Sequence, residues 1–259
     1  MGKSNTSMFR TTQNETSRTD QSTSDLNSKL ENKGNIPENK KKKIDPQTTL
    51  HIYDKNARKF LFYSKDFSKI YSITPPFFSI FPYDGGFPTR YHLNQVFFCG
   101  GHDETQLLRC TFLLDIIKGT FTKKQDMNYE RRFHILEEVD HKIMAIGGKT
   151  TEKETNTCEA YNPNTDFWDI IPSMNYPRVS AISFALNNDV CYVVGGNFLN
   201  QEENSMEKIC FKDFDMKWNL IKYKNSTNYK IPGNCANSCE IGNNKFLIFG
   251  GYSENNLIS

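Results

Sequence analysis

Four Gly-Gly pairs constrain the fold of this chain more than any other feature. They stand at Gly100-Gly101, Gly147-Gly148, Gly195-Gly196 and Gly250-Gly251, each closing a short apolar run, and their first glycines lie 47, 48 and 55 residues apart. The runs are Val96-Phe97-Phe98-Cys99, Ile143-Met144-Ala145-Ile146, Cys191-Tyr192-Val193-Val194 and Phe246-Leu247-Ile248-Phe249. Their β-branched and aromatic content, bounded by turn residues, predicts strands, and the absence of polar alternation predicts burial on both faces. A period of this length is that of stacked, sheet-like repeats.

The repeat continues on both sides of the glycines. Phe121, Trp168 and Trp218 follow the pairs at nearly constant distance, and seven residues before each stands Leu114, Tyr161 or Phe211. Met127 and Met174, then Arg131 and Arg178, follow the first two aromatics in identical register. Asn94, Asp140, Asn187-Asn188 and Asn243-Asn244 precede each glycine-closed strand, where a hairpin turn between antiparallel strands belongs. The predicted unit is four strands: one before that turn, the Gly-Gly strand, one through the Tyr161 position and one through the Trp168 position.

A four-stranded unit recurring at about 40–50 residues is a propeller blade. The motif set resembles the kelch repeat, most clearly over Gly147-Gly148, Tyr161, Trp168 and Met174 to Arg178, with Trp218, Gly195, Gly196, Gly250 and Gly251 completing the structural positions. The resemblance implies an all-β, kelch-type propeller over residues 49–259. The glycines are expected to supply positive φ and close blade contact rather than a phosphate loop, because no helix is written after them. The aromatics are expected to fill the space between blades, and the arginines to bind carbonyls at blade junctions or to face a ligand.

Both ends of the repeat region are half written. The chain stops eight residues after Gly251, and His51-Ile52-Tyr53-Asp54 with Phe60 repeats the tyrosine-to-aromatic spacing with no glycine strand before it. About four blades are therefore expected, with one split between the ends of the chain, or else an incomplete propeller. Residues 1–48 are rich in Ser, Thr, Asn, Gln and Lys and contain a single aromatic, Phe9. Such a stretch cannot bury enough apolar area to offset chain entropy, which predicts a disordered tail.

Residues 1–49 carry nine Lys or Arg against six Asp or Glu, and the remainder 23 against 24. A near-neutral propeller argues against nucleic acid as its partner. Met1-Gly2-Lys3-Ser4-Asn5-Thr6 fits the acceptor pattern for N-myristoylation, marking Gly2 as a candidate lipidation site. One acyl chain binds membranes marginally, and Lys40, Lys41, Lys42 and Lys43 offer a second, electrostatic signal; the alternatives are a solvated basic linker and a weak nuclear signal. No apolar stretch approaches transmembrane length and no signal-peptide core is written, which predicts a cytoplasmic, membrane-peripheral protein. Seven cysteines spread over strand positions then read as buried thiols.

No linear motif for a cofactor, a metal or a catalytic nucleophile is present. In an up-and-down blade, the loop after the Gly-Gly strand and the loop joining blades leave from the same face. That face is predicted to hold His102, Asp103, Glu104, Arg131, Arg132, Lys149, Glu152, Arg178, Asn197 and Glu202 as binding residues for a protein partner. Its mixed charge suits a polar protein surface. The kelch resemblance implies a non-catalytic interaction scaffold with a cytoskeletal association. The alternatives are a kelch-type enzyme acting on a sugar or using a metal, and the substrate-recognition part of a ubiquitin ligase assembly.

Overall fold

The computed structural model describes residues 50–54, 59–63, 69–74, 89–91, 94–102, 105–196, 205–221, 237–242, 245–249, 252–253 and 256–257. The tail, with Gly2 and Lys40 to Lys43, lies outside them, as do Gly250 and Gly251.

The described chain is all β. Strands β1 (Leu50–Asp54), β2 (Lys59–Tyr63) and β3 (Lys69–Ile73) form a three-stranded antiparallel sheet. Three four-stranded meanders follow. The first blade is β4 (Thr89–Tyr91), β5 (Gln95–Cys99), β6 (Thr111–Asp115) and β7 (Thr120–Lys124). The second is β8 (Ile135–Val139), β9 (Lys142–Ile146), β10 (Cys158–Asn162) and β11 (Phe167–Ile171). The third is β12 (Ile182–Leu186), β13 (Val190–Val194), β14 (Met206–Cys210) and β15 (Asn219–Ile221). Hairpin β16 (Asn237–Gly242) and β17 (Lys245–Phe249) starts the next unit, and β18 (Tyr252–Ser253) pairs with β19 (Asn256–Leu257). Successive first strands neighbour one another, β4 with β8, β8 with β12 and β12 with β16, so they surround the propeller axis.

The hairpin turns take the backbone that their residues favour. Asp140 and His141 (φ 51° and 58°) turn β8 into β9, and Asn187 and Asn188 (φ 52° and 59°) turn β12 into β13. Positive φ at both central positions is the turn type that matches strand twist, and Asn and Asp tolerate it.

The hydrophobic core lies between sheets. Strand β9 directs Ile143 and Ala145 into a cluster with Phe97, Cys99, Met127, Tyr161 and Trp168, which joins the first and second blades. Its alternate residues Met144 and Ile146 enter a second cluster with Met174, Cys191, Val193, Ile209 and Trp218, which joins the second and third. A strand serving two interfaces must be apolar on both faces, which is why it lacks alternation. Tyr161 and Trp168 fill the space between blades as expected, with ring centroids 5.0 and 6.1 Å from Phe97. Ile73 of β3 joins Val96, Phe98 and Leu114, seating the first sheet against the first blade.

Two expectations are corrected. Strand β17 is half-buried on one face only: Phe246 stacks on Phe184 at 4.4 Å, whereas Leu247 and Phe249 are 49% and 47% exposed. Among the described residues it packs against the third blade alone. Phe211 falls in the turn after β14, and Ile209, two residues past Glu207, takes the tyrosine position. The longer connection to Trp218 accounts for the shift. In the first sheet, Tyr53 and Phe60 are register partners across β1 and β2, and β3 pairs with the far edge of β2. That sheet is already three strands wide, and among the described residues it does not pair with β16 or β17.

Around the axis the inner strands are tied by polar contacts. Ser183 Oγ donates to Glu137 Oε2 at 2.5 Å, and Ser238 Oγ donates to the Ser183 carbonyl at 2.8 Å. Burial pushes the Glu137 carboxyl up to about 7, against the opposing Ser183 hydrogen bond. Because the folded chain holds this proton more tightly than the unfolded chain, stability from this group is present at low pH and falls as pH rises from about 4.5 through about 7. Glu137→Gln, which keeps an acceptor for Ser183, is expected to flatten that fall and to raise stability at pH 8 by at most ~3 kcal/mol. Melting temperatures of both proteins at pH 5 and pH 8 check this; equal pH dependence would contradict it.

Candidate functional site

The segments joining blades carry a repeated polar core. Arg131 Nη1 donates to the carbonyls of Gly147 (2.8 Å) and Thr157 (2.9 Å), and its Nη2 meets Glu159 Oε1 at 2.8 Å. Glu159 also accepts from the backbone N–H of Asn128 and Tyr129 and from Asn128 Nδ2. One repeat later, Arg178 Nη1 donates to Gly195 O (2.6 Å) and Ser205 O (3.2 Å), and its Nη2 meets Glu207 Oε1 at 3.1 Å. Glu207 accepts from the N–H of Asn175 and Tyr176 and from Asn175 Nδ2. Trp168 Nε1 and Trp218 Nε1 close both modules onto the carbonyls of Gln125 and Pro172. Burial lowers Arg178 from its ordinary guanidinium value, with Glu207 opposing the shift.

The two arginines are therefore corrected from binding residues to scaffold. Arg131 is 0% and Arg178 1% exposed, and both ion pairs are wholly buried. A guanidinium this deeply buried, bound to carbonyls and a carboxylate, is closed to a ligand from outside. Glu159, Glu207, Asn128 and Asn175 are equally essential to this core, and the sequence reading passed over them. Their signal was the period itself, since each pair recurs 47 or 48 residues apart.

The glycine pairs are the counterpart of these arginines. Gly101 N–H donates to the Arg131 carbonyl and Gly148 N–H to the Arg178 carbonyl, each at 2.7 Å across a blade junction. Gly147 and Gly148 take φ of 61° and 96°, and a Cβ on Gly147 would stand 2.6 Å from the Arg178 carbonyl oxygen. The expected roles, positive φ and close blade approach, both hold here.

The two predicted loop sets do meet on one face. Arg132 and Lys149 exchange backbone hydrogen bonds at 3.0 and 2.8 Å, and Thr151 Oγ1 donates to Glu130 Oε1 at 3.3 Å. The loop is closed by Lys149 pairing with Glu154 and by Thr150 bonding to Lys153. Thr151, Glu152 and Lys153 are exposed at its tip, Arg132 lies partly buried 5.0 Å over the Phe133 ring, and Tyr129 is exposed beside them. His102 bridges to Leu107 in the equivalent loop of the first blade. Asp103, Glu104, Asn197 and Glu202 lie outside the described residues. The structure thus gathers Arg132, Lys149 and Glu152 into one patch and sets His102 in the neighbouring loop.

Counting only His, Cys, Asp and Glu, the described residues contain no group of three that could hold a metal ion. No helix among them is long and apolar enough to cross a membrane. The Kelch motif family model matches residues 131–175, from Arg131 of the first module to Asn175 of the second. The chain carries a kelch motif. Its repeats are 28% identical to alpha-scruin of Limulus polyphemus over 196 residues, covering 66% of this chain and 20% of that one. They are 37% identical to the influenza virus NS1A-binding protein of Homo sapiens over 71 residues, 27% of this chain and 11% of that protein. The chain therefore spans about a fifth of the scruin it matches. The solved structure of YjhT superposes with a TM-score of 0.62 at 12% identity, over 79% of this chain and 69% of its own. The fold is a kelch-type β-propeller, with the buried Arg–Glu modules as the joints between its blades.

Proposed function

We propose that this chain is a non-catalytic protein-interaction scaffold that binds its partner through the loop face carrying Arg132, Lys149, Glu152 and Lys153. The observation that carries the reading is the separation of charge in the kelch repeats. The arginines and glutamates at the joints are consumed by the fold, whereas Glu152 and Lys153 stand free of it on a loop held by backbone bonds. Interfaces of this kind use polar rims and charge complementarity to set specificity. The similarity to alpha-scruin and to a protein named for binding influenza virus NS1A supports a binding role. In its finer form, the scaffold is cytoskeleton-associated and works in the cytoplasm, with Gly2 and the lysines at 40–43 adding contact with a membrane surface.

Exchanging the charges, Lys149→Glu with Glu152→Lys and Lys153→Glu, tests the reading without touching a buried group. Melting temperature is expected to change by no more than about 2–4 °C, as for surface substitutions. A protein that co-purifies stoichiometrically with the wild type is expected to be lost. Retention of that partner by the exchanged variant, or turnover of a sugar by the purified chain, would overturn the proposal.

A further inference from the structure

Where the first blade meets the second, three soft or basic side chains converge beneath the Gly100-Gly101 turn. Cys99 Sγ lies 3.4 Å from Met127 Sδ and 3.6 Å from His134 Nε2, and all three residues are buried. Cys99 is in no disulfide, and His134 Nδ1 is buried without a hydrogen-bond partner.

The repeat supplies an internal comparison. One period later, at the junction of the second and third blades, Met127 becomes Met174, Cys99 becomes Ile146 and His134 becomes Ala181. Both methionines pack their Cε against a junction glycine, 3.0 Å from where a Cβ would be, so the thioether belongs to the shared architecture. The cysteine and histidine do not. They replace an apolar pair, touch each other, and leave a buried imidazole nitrogen unsatisfied, which packing alone does not favour. Gly100 makes room for the ring, since a Cβ there would stand 2.6 Å from His134 Cε1.

We propose that Cys99, Met127 and His134 form a buried binding site for a soft monovalent metal ion, Cu(I). Thiolate and thioether sulfurs select Cu(I) and imidazole suits copper, while the thioether is a poor match for zinc or for hard cations. Ligand atoms 3.4 and 3.6 Å apart are already spaced as around a common ion about 2.0–2.3 Å from each. Binding forms the sulfur–copper bond, breaks the S–H bond and releases that proton to solvent. Copper stays in the +1 state, and no electron moves.

The test uses the full chain, reduced and anaerobic, titrated with Cu(I) against a chromogenic Cu(I) chelator. The wild type is expected to withhold one equivalent, with thiolate-to-copper absorption in the near ultraviolet and a raised melting temperature. Cys99→Ile with His134→Ala, which copies the next junction, is expected to lose that equivalent, each ligand lost weakening retention by at least about tenfold. Cys99→Ser serves the same purpose with less change of shape should the double variant fail to fold. Cys239→Ser, which removes the exposed thiol, is expected to retain the ion. Complete capture of copper by the chelator from wild type, or undiminished binding by the folded Cys99 variants, would overturn the site. Neither result bears on the loop-face reading, which the charge exchange tests separately.

Discussion

Glu207→Ala is expected to lower the unfolding free energy by about 3–5 kcal/mol, the cost of leaving one partner of a buried ion pair alone. Four groups lose a bond at once: the Arg178 guanidinium, the backbone N–H groups of Asn175 and Tyr176, and Asn175 Nδ2. The arginine cannot relieve the cost by losing its proton at any ordinary pH. A loss of this size is a large share of the ~5–15 kcal/mol that holds a domain together. Urea denaturation, read as a lower midpoint at unchanged slope, measures it. Replacing both partners, Arg178→Met with Glu207→Leu, is expected to cost less than Glu207→Ala alone, because no buried charge is stranded. The chain contains a natural precedent at the position one period before Glu159. There Phe112 is fully buried and stacks on Phe98 at 5.7 Å, so a blade can be built with an apolar group in this place. If the double replacement proves as damaging as the single, the carbonyl contacts of Arg178 would outweigh its pairing with Glu207.

Gly147→Ala is expected to cost more than the ~1–3 kcal/mol that a left-handed backbone alone imposes on a residue with a Cβ. The added methyl would lie 2.6 Å from the Arg178 carbonyl oxygen, which is backbone and cannot rotate away. Relief requires the second and third blades to part locally, straining the Gly148 N–H bond to that same carbonyl. Gly242→Ala separates the two contributions. Gly242 has φ of 91° with nothing within 4 Å of a Cβ, so its substitution carries backbone strain without the clash. The difference between the two losses, from parallel denaturation curves, measures the close approach of the blades. Equal losses would mean that the junction yields freely.

Much of this architecture was legible because it repeats. A strand flanked by two sheets loses its polar face, a hairpin turn collects Asn and Asp, and a glycine pair recurs where two backbones meet. Each of these is a local chemical requirement, and recurrence at 47 and 48 residues separates it from chance. The candidate loop face was legible from topology alone, since meander order fixes which loops share an end. The side chains were less so. Arg131 and Arg132 are adjacent in sequence and charge, yet one is sealed against Glu159 while the other stacks on Phe133 in a partly open position.

The sequence by itself determined that this protein is built from four-stranded repeats, where each repeat turns, and which end of the blades carries the polar loops. Those properties depend on residue type and spacing along one chain. Only the tertiary structure decided which charges are spent inside the fold and which remain on its surface. It also decided that Cys99 and His134, 35 residues apart, meet across a blade junction. Burial and pairing arise from contacts between repeats, and two side chains of the same type acquire different roles through the neighbours that reach them.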